Sequence, residues 1–404
     1  MIKTYIRRPV YWQKIAPFVG KDIIKVIVGQ RRVGKSYFLF QIMDEIKKTN
    51  PKVNFIYLNK ESEEFSAIKT GKDLLVFVAK KVSRRHKNCI FIDEIQEIDG
   101  FEKALRHLSA QGGYDIYCTG SNAHMLSSEI ATGLSGRYVA VTMHSLSFPE
   151  FLIFHQLKKG EDTLFKYIRY GGLPYIINLE LTDEVVYDYL KNIYNTILLK
   201  DVVARFGVRN INFLERLVVY LADNIGSFVS AKKISDFLKS QNIRISPNIV
   251  LNYLSYLVAA YFISPVKRSD INGKRIFEIN EKYYFADLGL RQALIGYRQV
   301  DIGKILENLV YNHLQFLEYT ITVGKSGAKE IDFICEKAGE KLYIQVAYLL
   351  PDEKVKAREF GNLLQIANNY PKLVVSLDVM AGGNYQGIHH LHLLDFLTNN
   401  HYPL

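Results

Sequence analysis

The sequence predicts an α/β fold whose first domain is a parallel sheet with helices on both faces. An apolar run over residues 22–28 leads into Gly-Gln-Arg-Arg-Val-Gly-Lys-Ser at residues 29–36, and a helix-like run begins at Tyr37. A second apolar run, residues 88–92, ends in Asp93 and Glu94. Five strand-like runs alternate with helical patterns up to about residue 144, which is the order of a parallel sheet.

The stretch from Gly29 to Ser36 has the spacing of a phosphate-binding loop. Glycine at both ends allows a tight turn that aims backbone N–H groups at phosphate oxygens, and the next helix adds its positive dipole end. Lys35 is expected to reach the β- and γ-phosphates, and Ser36 to ligate Mg²⁺. A turn that only joins strand to helix is the alternative, but the flanking strand and helix favour a phosphate site. The expected nucleotide contacts are Gly29, Gln30, Arg31, Arg32, Val33, Gly34, Lys35, Ser36 and Tyr37.

The acidic pair stands at the carboxyl end of a strand that is apolar throughout. Open α/β sheets bind their ligands at this end of the strands. We expect Asp93 to hold the Mg²⁺ shell and Glu94 to polarise the attacking water. With the phosphate-binding loop, the pair predicts a site for ATP and Mg²⁺.

Composition and charge constrain partners and compartment. The chain has 404 residues, with 52 Lys and Arg against 41 Asp and Glu, so its formal net charge of +11 gives mild support for a polyanionic partner. Cys89, Cys118 and Cys335 each lie in an apolar run and show no metal-binding or disulfide spacing, as expected of core thiols in a reducing compartment. The sequence shows neither a signal-peptide pattern nor an apolar run near the ~18–20 residues of a membrane span. We therefore expect a cytoplasmic protein with no membrane contact.

The order of motifs resembles the core of AAA+ ATPases. It consists of the phosphate-binding loop, the acidic strand, a strand tipped by Ser121 and Asn122, and an arginine directly before the fifth strand. The resemblance implies that Asn122 senses the γ-phosphate and that Arg137 acts on a neighbouring subunit's nucleotide in a ring or other homo-oligomer. The alternative is that Ser121 and Asn122 only form a turn after the strand and that Arg137 is an ordinary exposed arginine.

The motifs also indicate the boundaries of the first two domains, 1–150 for the ATPase core and 151–205 for a helical lid. Gly171, Gly172 and Pro174 interrupt the lid's helical pattern. In an AAA+ lid, such a break at Pro174 would lie against adenine, whereas an interhelical turn is the simpler alternative. The core and lid motifs are similar to a widespread family of prokaryotic AAA+ ATPases of poorly defined role, whose C-terminal region is a domain of unknown function of the DUF4143 type.

Residues 206–290 have the element order of a winged-helix domain. Three short helical patterns are followed by strand-like residues 261–268, a turn at Asn272-Gly273 and a second strand at 274–279. If this domain binds DNA, side chains of the third helix face the groove and basic residues of the hairpin contact phosphates. These candidates are Asn248, Asn252 and Ser255 for the groove, and Lys267, Arg268, Lys274 and Arg275 for the phosphates. The alternative is a domain that only packs between other domains or subunits.

Residues 291–404 resemble the metal-dependent nuclease fold named PD-(D/E)xK after its Pro-Asp and Glu-x-Lys motifs. Glu307, Asp332 and Gln345 match its metal-binding positions, whereas Ala347 stands where the fold has its lysine. An alanine cannot orient the attacking water. The resemblance therefore implies an inactive, nuclease-like domain that serves as a binding or assembly module.

Taken together, the sequence predicts an ATPase that couples its nucleotide state to DNA binding. A nucleotide-gated switch that binds a polypeptide is the second hypothesis, and an active nuclease with an unusual water-orienting group is the third.

Overall fold

The computed structural model describes residues 5–123, 134, 136–270, 281–326, 329–379 and 381–399. The chain divides into two compact units. The first comprises Met1–His144 and Ala259–Tyr261, and the second comprises Ser145–Val258 and Phe262–Leu404. The finer domain bounds expected at residues 150, 205 and 290 stay a prediction.

The first unit is built on the parallel sheet that the sequence predicts. Its strands are β1 Ile24–Val28, β2 Asn54–Asn59, β3 Asn88–Asp93, β4 Tyr114–Gly120 and β5 Tyr138–Thr142. They pair in the order β2-β3-β4-β1-β5, all parallel. Every residue of β1 and β3 is buried, because helices cover both faces. The order places β4 between β1 and β3, so the tip of β4 lies between the phosphate-binding loop and the acidic pair.

Four helices of the first unit follow the apolar periodicity of the sequence. They are α1 Pro9–Ile15, α2 Lys35–Thr49, α3 Gly71–Lys81 and α4 Phe101–Gln111. The helix α3 begins with a capping box in which Thr70 and Asp73 satisfy each other's backbone N–H groups. The helix predicted over residues 124–134 lies outside the described residues, apart from Leu134.

The second unit opens with the helical region that the sequence predicts. It contains α5 Phe148–His155, α6 Glu161–Tyr170 and α7 Asp183–Thr196, and the chain continues as a π-helix over Ile197–Ala204. Ser147 and Glu150 form a capping box at the start of α5. Glu150 is buried at this position, and its carboxylate stabilises the start of the helix.

The Gly171-Gly172 turn is held by a distant carboxylate. Asp287 caps the helix α11 Leu288–Ile295, and its Oδ2 accepts a 2.9 Å hydrogen bond from the Gly172 N–H. A Cβ atom at residue 171, where φ is 74°, would lie 2.1 Å from Asp287 Oδ1. Burial raises the pKa of Asp287, although the N–H of Gly172 opposes this change. The glycines are therefore required for contact with the start of α11.

The middle of the second unit has three helices and a three-stranded antiparallel sheet. Its elements are α8 Ile211–Asp223, β6 Phe228–Val229, α9 Ala231–Ser240, α10 Pro247–Ala259, β7 Ile263–Val266 and β9 Glu281–Phe285. The strand order is β6-β9-β7. The strand β7 pairs with β9 Glu281–Phe285. The predicted turn at Asn272-Gly273 and the predicted second strand at residues 274–279 lie outside the described residues.

A mixed seven-stranded sheet completes the second unit. Its further strands are β8 Arg268–Asp270, β10 Thr320–Ser326, β11 Lys329–Lys337, β12 Glu340–Val346, β13 Lys372–Ser376, β14 Asn384–Tyr385 and β15 Ile388–His392. The order is β14-β15-β13-β12-β11-β10-β8. The remaining helices are α12 Ile302–Phe316, α13 Glu353–Leu364 and α14 Leu393–Thr398. Thus the chain leaves the three-stranded sheet after Val266 and enters the larger sheet at Arg268, which the sequence places in the predicted wing.

Replacement of Gly289 by alanine tests the packing of α11 against the Gly-Gly turn. A Cβ atom there would lie 2.1 Å from the Tyr170 carbonyl oxygen, so Gly289→Ala should lower the free energy of unfolding by about 1–3 kcal/mol. Gly303→Ala is the matched control, because its Cβ would meet no described heavy atom within 4 Å outside its own helix. Thermal denaturation measures both variants, and a Gly289→Ala midpoint at or above that of the control would contradict this packing.

Candidate functional site

The phosphate-binding loop follows β1 and requires glycine at both ends. Gly29 has φ 145°, and a Cβ there would lie 2.1 Å from the Met143 carbonyl oxygen. Gly34 has φ 99° and immediately precedes α2, so it too adopts a backbone conformation that favours glycine. The loop therefore runs close beside the end of β5, as the sequence pattern requires.

Lys35 is buried at the start of α2 and points back into the loop. Its Nζ donates to the carbonyl oxygens of Gly29 and Gln30, at 3.0 Å each, and lies 3.7 Å from Glu94 Oε1. The two charged groups from the two predicted motifs thus meet. A lysine in this position can exchange loop carbonyls for phosphate oxygens with little movement of its stem.

Asp93 and Ser36 supply neighbouring oxygen atoms. Burial raises the pKa of Asp93, and hydrogen bonds from Ser36 and Thr119 oppose this rise. Thr119 Oγ1 donates to Asp93 Oδ1 at 2.5 Å and accepts from the Glu94 N–H at 2.9 Å. A hydroxyl beside a carboxylate suits the hard oxygen coordination that Mg²⁺ prefers. The donor set therefore fits a nucleotide-bound Mg²⁺.

Glu94 is buried and held in an ionised form. Its backbone is left-handed, with φ 55°, and its Oε2 accepts from Ser121 Oγ at 3.0 Å and from Gln96. Burial would raise the pKa of Glu94, but the Lys35 charge, followed by Gln96, Arg31 and Ser121, outweighs burial and lowers it. A charged carboxylate fixed in this way is suited to accept a hydrogen bond from a water molecule.

Gln30 gives an independent sign that the loop accommodates a polar ligand. Its side chain is only 3% exposed, yet neither Nε2 nor Oε1 has a hydrogen-bond partner within the described part of the chain. Unsatisfied buried amides cost about 1–3 kcal/mol. Neighbouring Arg31 is also buried and makes a 2.6 Å ion pair with Glu61. Loop residues thus carry both an orphaned amide and a guanidinium.

Other predicted residues of the ATPase core have mixed surroundings. Asn122 is buried just beyond β4, and Val33 is buried in the loop, whereas Arg32 and Tyr37 are exposed. The interactions expected of these four side chains with nucleotide stay predictions.

Arg137 is exposed and lies at the opposite end of the strands from the phosphate-binding loop. Its carbonyl accepts from the Ile24 N–H at 3.0 Å, so it lies beside the first residue of β1, whereas the phosphate-binding loop follows the last. These two ends of β1 are about 13 Å apart at the usual rise per residue. Pro174 belongs to the second unit, where it begins a 3₁₀ turn over Pro174–Asn178.

Arg8 supports the phosphate-binding loop and has no recognisable sequence signal. This buried arginine donates from Nη1 to the carbonyl oxygens of Val33, at 3.0 Å, and His144, at 2.9 Å. Its guanidinium lies 4.5 Å from the ring centre of Tyr11. It therefore connects the loop to the end of β5.

The surface of α10 combines polar and apolar side chains. Asn248, Asn252 and Ser255 are exposed, but Ile249 and Leu251 are also exposed, at 40% and 53%. An exposed helix face with large aliphatic residues is unusual for a reader of base edges, which is mostly polar.

The basic residues near α10 differ in their accessibility. Lys267 is exposed, whereas Arg268 is half-buried, with its guanidinium 4.9 Å from the ring centre of Phe228. Lys274 and Arg275 lie outside the described residues. Lys267 is thus the described hairpin residue that best suits phosphate contact.

The predicted nuclease-like residues come together around a lysine that the sequence does not indicate. Glu307 lies on α12, Asp332 on β11 and Gln345 on β12, and Gln345 Oε1 accepts from the Asp332 N–H at 3.4 Å. Lys282 Nζ lies 2.8 Å from Glu307 Oε1 and 2.6 Å from Glu330 Oε1.

The charges in this group depend on one another. Burial alone lowers the pKa of Lys282, but Glu307, Asp332 and Glu330 outweigh burial and raise it. Burial and then Glu307 raise the pKa of Asp332, although the Lys282 charge and the N–H of Val346 oppose them. Among the described residues, no group of three or more His, Cys, Asp and Glu side chains is arranged to hold a metal ion.

Ala347 lines a cavity of about 470 Å³ together with Val346, Tyr348 and Arg358. No side chain at residue 347 extends toward the carboxylates, because the position is an alanine. The lysine that contacts Glu307 and Glu330 comes from β9.

Comparisons with known proteins agree with this architecture. Two family models match the chain, one described as an AAA domain, over residues 21–152, and one as a domain of unknown function (DUF8612), over residues 161–301. The second has a different designation from the DUF4143 type that the motifs indicate. No helix within the described ranges is long and apolar enough to cross a bilayer.

An uncharacterized protein of Haemophilus influenzae is 37% identical over 404 residues and covers 98% of this chain and 100% of its own length. An uncharacterized protein of Methanocaldococcus jannaschii is 34% identical over 369 residues, or 86% of this chain and 81% of the relative. Among solved structures, the Walker-type ATPase of Pyrococcus abyssi matches 72% of this chain and 96% of its own, with 14% identity and a TM-score of 0.47. The chain belongs to the family of AAA-domain P-loop ATPases, with a C-terminal domain of unknown function, that includes the H. influenzae and M. jannaschii proteins.

Proposed function

We propose that this protein binds Mg²⁺-ATP and hydrolyses its γ-phosphate. The observation that carries the proposal is the meeting of Lys35, Glu94 and the Asp93–Ser36 pair at one edge of the parallel sheet. AAA domains in general bind ATP and Mg²⁺ at such a loop, and the orphaned Gln30 amide supports a polar ligand.

Each side chain has a distinct role in this proposal. Lys35 leaves the loop carbonyls and binds phosphate oxygens, while Ser36 and Asp93 hold Mg²⁺, which neutralises charge on the phosphates. Glu94 orients the attacking water and accepts its proton. We propose that Asn122, with Ser121 beside it, senses the γ-phosphate from the tip of β4, and the hydrogen bond of Ser121 to Glu94 supports this role.

Two substitutions separate ATP binding from hydrolysis. Glu94→Gln keeps the shape of the site but removes the base, so hydrolysis should fall at least ~100-fold while ATP remains bound. Lys35→Ala should weaken ATP binding itself, because the phosphate charge loses its partner. Steady-state phosphate release and fluorescent-nucleotide binding measure the two effects, with exposed Glu64→Gln as the control. Unchanged hydrolysis in Glu94→Gln would refute the assignment.

Arg137 is proposed to act on the nucleotide of a neighbouring copy. Its position at the opposite edge of the sheet from the phosphate-binding loop favours action in trans, because its own loop is a strand length away. This proposal includes self-association into a ring or another homo-oligomer. A separate proposal is that Pro174 contacts adenine.

Mixing two inactive variants tests the trans role. Arg137→Ala provides an intact loop, and Lys35→Ala provides an intact arginine, so mixed assemblies should recover part of the wild-type hydrolysis. Phosphate release is measured across mixing ratios, and light scattering confirms that the subunits assemble together. Co-assembly without recovery at any ratio would exclude Arg137 as a trans-acting group.

We further propose that the nucleotide state controls DNA binding through a winged-helix domain. The element order supports such a domain, because it runs α8, β6, α9, α10, β7 and β9. Asn248 and Asn252 are exposed on α10, Lys267 is exposed beyond β7, and the net charge of +11 favours a polyanion. Ile249 and Leu251 favour the second candidate, a nucleotide-gated switch whose partner is a polypeptide, because exposed aliphatic residues on a helix suit a protein groove.

Two surface variants distinguish these candidates. Asn252→Asp with Lys267→Glu should weaken DNA binding and reduce its salt dependence, because it removes phosphate attraction. Ile249→Ser with Leu251→Ser is the matched variant, which leaves the local charge unchanged. Fluorescence anisotropy with linear and branched DNA is measured across a salt series, alongside ATP hydrolysis with and without DNA. Equal affinity in wild type and the charge variant, with hydrolysis indifferent to DNA, would favour the polypeptide partner.

The C-terminal sheet is proposed to be a nuclease-like domain that binds or assembles without cleaving. Ala347 stands where the nuclease fold has its lysine, and Gln345 replaces an acid, so two groups of the nuclease chemistry are absent from these two positions.

A further inference from the structure

In the second unit, Lys282 is a buried cation beside three carboxylates, Glu307, Glu330 and Asp332, which together form the acidic group. Its side chain is 4% exposed, and its ammonium lies between Glu307 Oε1, at 2.8 Å, and Glu330 Oε1, at 2.6 Å. Tyr284, two residues further along β9 and on the same side of the strand, donates to Glu307 Oε1 at 2.5 Å. One strand therefore presents a charge and a hydroxyl to the same carboxylate.

We propose that Lys282 is a built-in cation, which occupies the space between Glu307, Glu330 and Asp332 that a divalent metal ion would otherwise take. The C-terminal domain is then independent of metal. This assignment goes beyond an inactive nuclease-like domain, because it names the group that replaces the ion.

The hydrogen bonds of the acidic group support a site that is already filled by protein groups. Asp332 Oδ2 accepts from the Val346 N–H at 2.8 Å, and Glu359 Oε2 accepts from Gln345 Nε2 at 3.2 Å. Arg358 donates from Nε to Glu359 Oε1 at 2.8 Å. Each of these carboxylates thus has a protein donor, and a metal ion would have to displace that donor or approach an ammonium charge.

The same lysine joins two sheets of this unit. Lys282 lies on β9 of the three-stranded sheet, whereas Glu307 and Glu330 lie on α12 and β11 of the C-terminal region. Removal of its charge leaves the partly buried Glu307 carboxylate and the buried Asp332 without a neighbouring cation, which is more costly than the loss of a surface ion pair. A divalent cation is then the replacement to test, because the Glu307 and Glu330 carboxylate oxygens that contacted the ammonium are the type of ligand that such an ion takes.

The test compares wild type with Lys282→Met in the full chain without nucleotide, with Mn²⁺ as the probe. Partly exposed Lys341, which pairs with Glu336 at 2.7 Å, provides the control Lys341→Met. The thermal midpoint of each protein is measured in EDTA and in Mn²⁺. Asp332→Asn, alone and combined with Lys282→Met, identifies effects that arise at the acidic group and not at the phosphate-binding loop.

The expected result is a wild-type midpoint with no Asp332-dependent response to Mn²⁺. Lys282→Met should melt at least about 4 °C lower in EDTA and recover in Mn²⁺, and the added Asp332→Asn change should abolish this recovery. Lys341→Met should behave like wild type. The assay omits nucleotide, so its outcome does not depend on ATP hydrolysis.

Three results would overturn the proposal. First, Mn²⁺ stabilises the wild type but not Asp332→Asn. Second, the wild type cleaves DNA and Asp332→Asn does not. Third, Lys282→Met folds but is not stabilised by Mn²⁺. If Lys282→Met does not fold, the comparison of wild type with Asp332→Asn still decides, because a metal-independent domain predicts the same response to Mn²⁺ in both proteins.

Discussion

The insertion of β4 between β1 and β3 determines which side chains meet at the candidate nucleotide site. The tip of β4 carries Thr119, whose hydroxyl binds both the Asp93 carboxylate and the Glu94 backbone N–H. Ser121, two residues later, binds the Glu94 side chain. Without this central strand, Lys35 and Glu94 would belong to separate elements with no common support. The hydrogen bonds that hold Glu94 and Asp93 in place therefore depend on this strand order.

The phosphate-binding loop and the acidic pair could be predicted because each is a local pattern with its own strand. The parallel five-stranded sheet follows from the same alternation of strands and helices. Thr119, Gln96 and Arg8 could not be found in this way, because their importance arises from which segments become neighbours in space. Arg8 illustrates the difference, since it contacts Val33 and the distant His144.

The C-terminal region shows the same limit on prediction from sequence. Residue 347 is an alanine where the nuclease fold has a lysine. The lysine that contacts Glu307 and Glu330 is Lys282, which lies on a different strand. The first strand of the predicted wing is also divided between two sheets. Val266 pairs within the three-stranded sheet, and Arg268 pairs within the seven-stranded sheet. Strand exchange between sheets depends on tertiary pairing and leaves no periodic signal in the chain.

The carboxylate of Asp287 binds Gly172, a residue 115 positions earlier in the chain, and also caps its own helix. Gly171 and Gly289 pack so closely around this group that neither segment can be completed alone. Contacts between positions so far apart slow folding, because the loop between them must close before the contact forms. During synthesis, the turn that follows the helix Glu161–Tyr170 must therefore wait for the chain beyond residue 287 before it can reach its final packing.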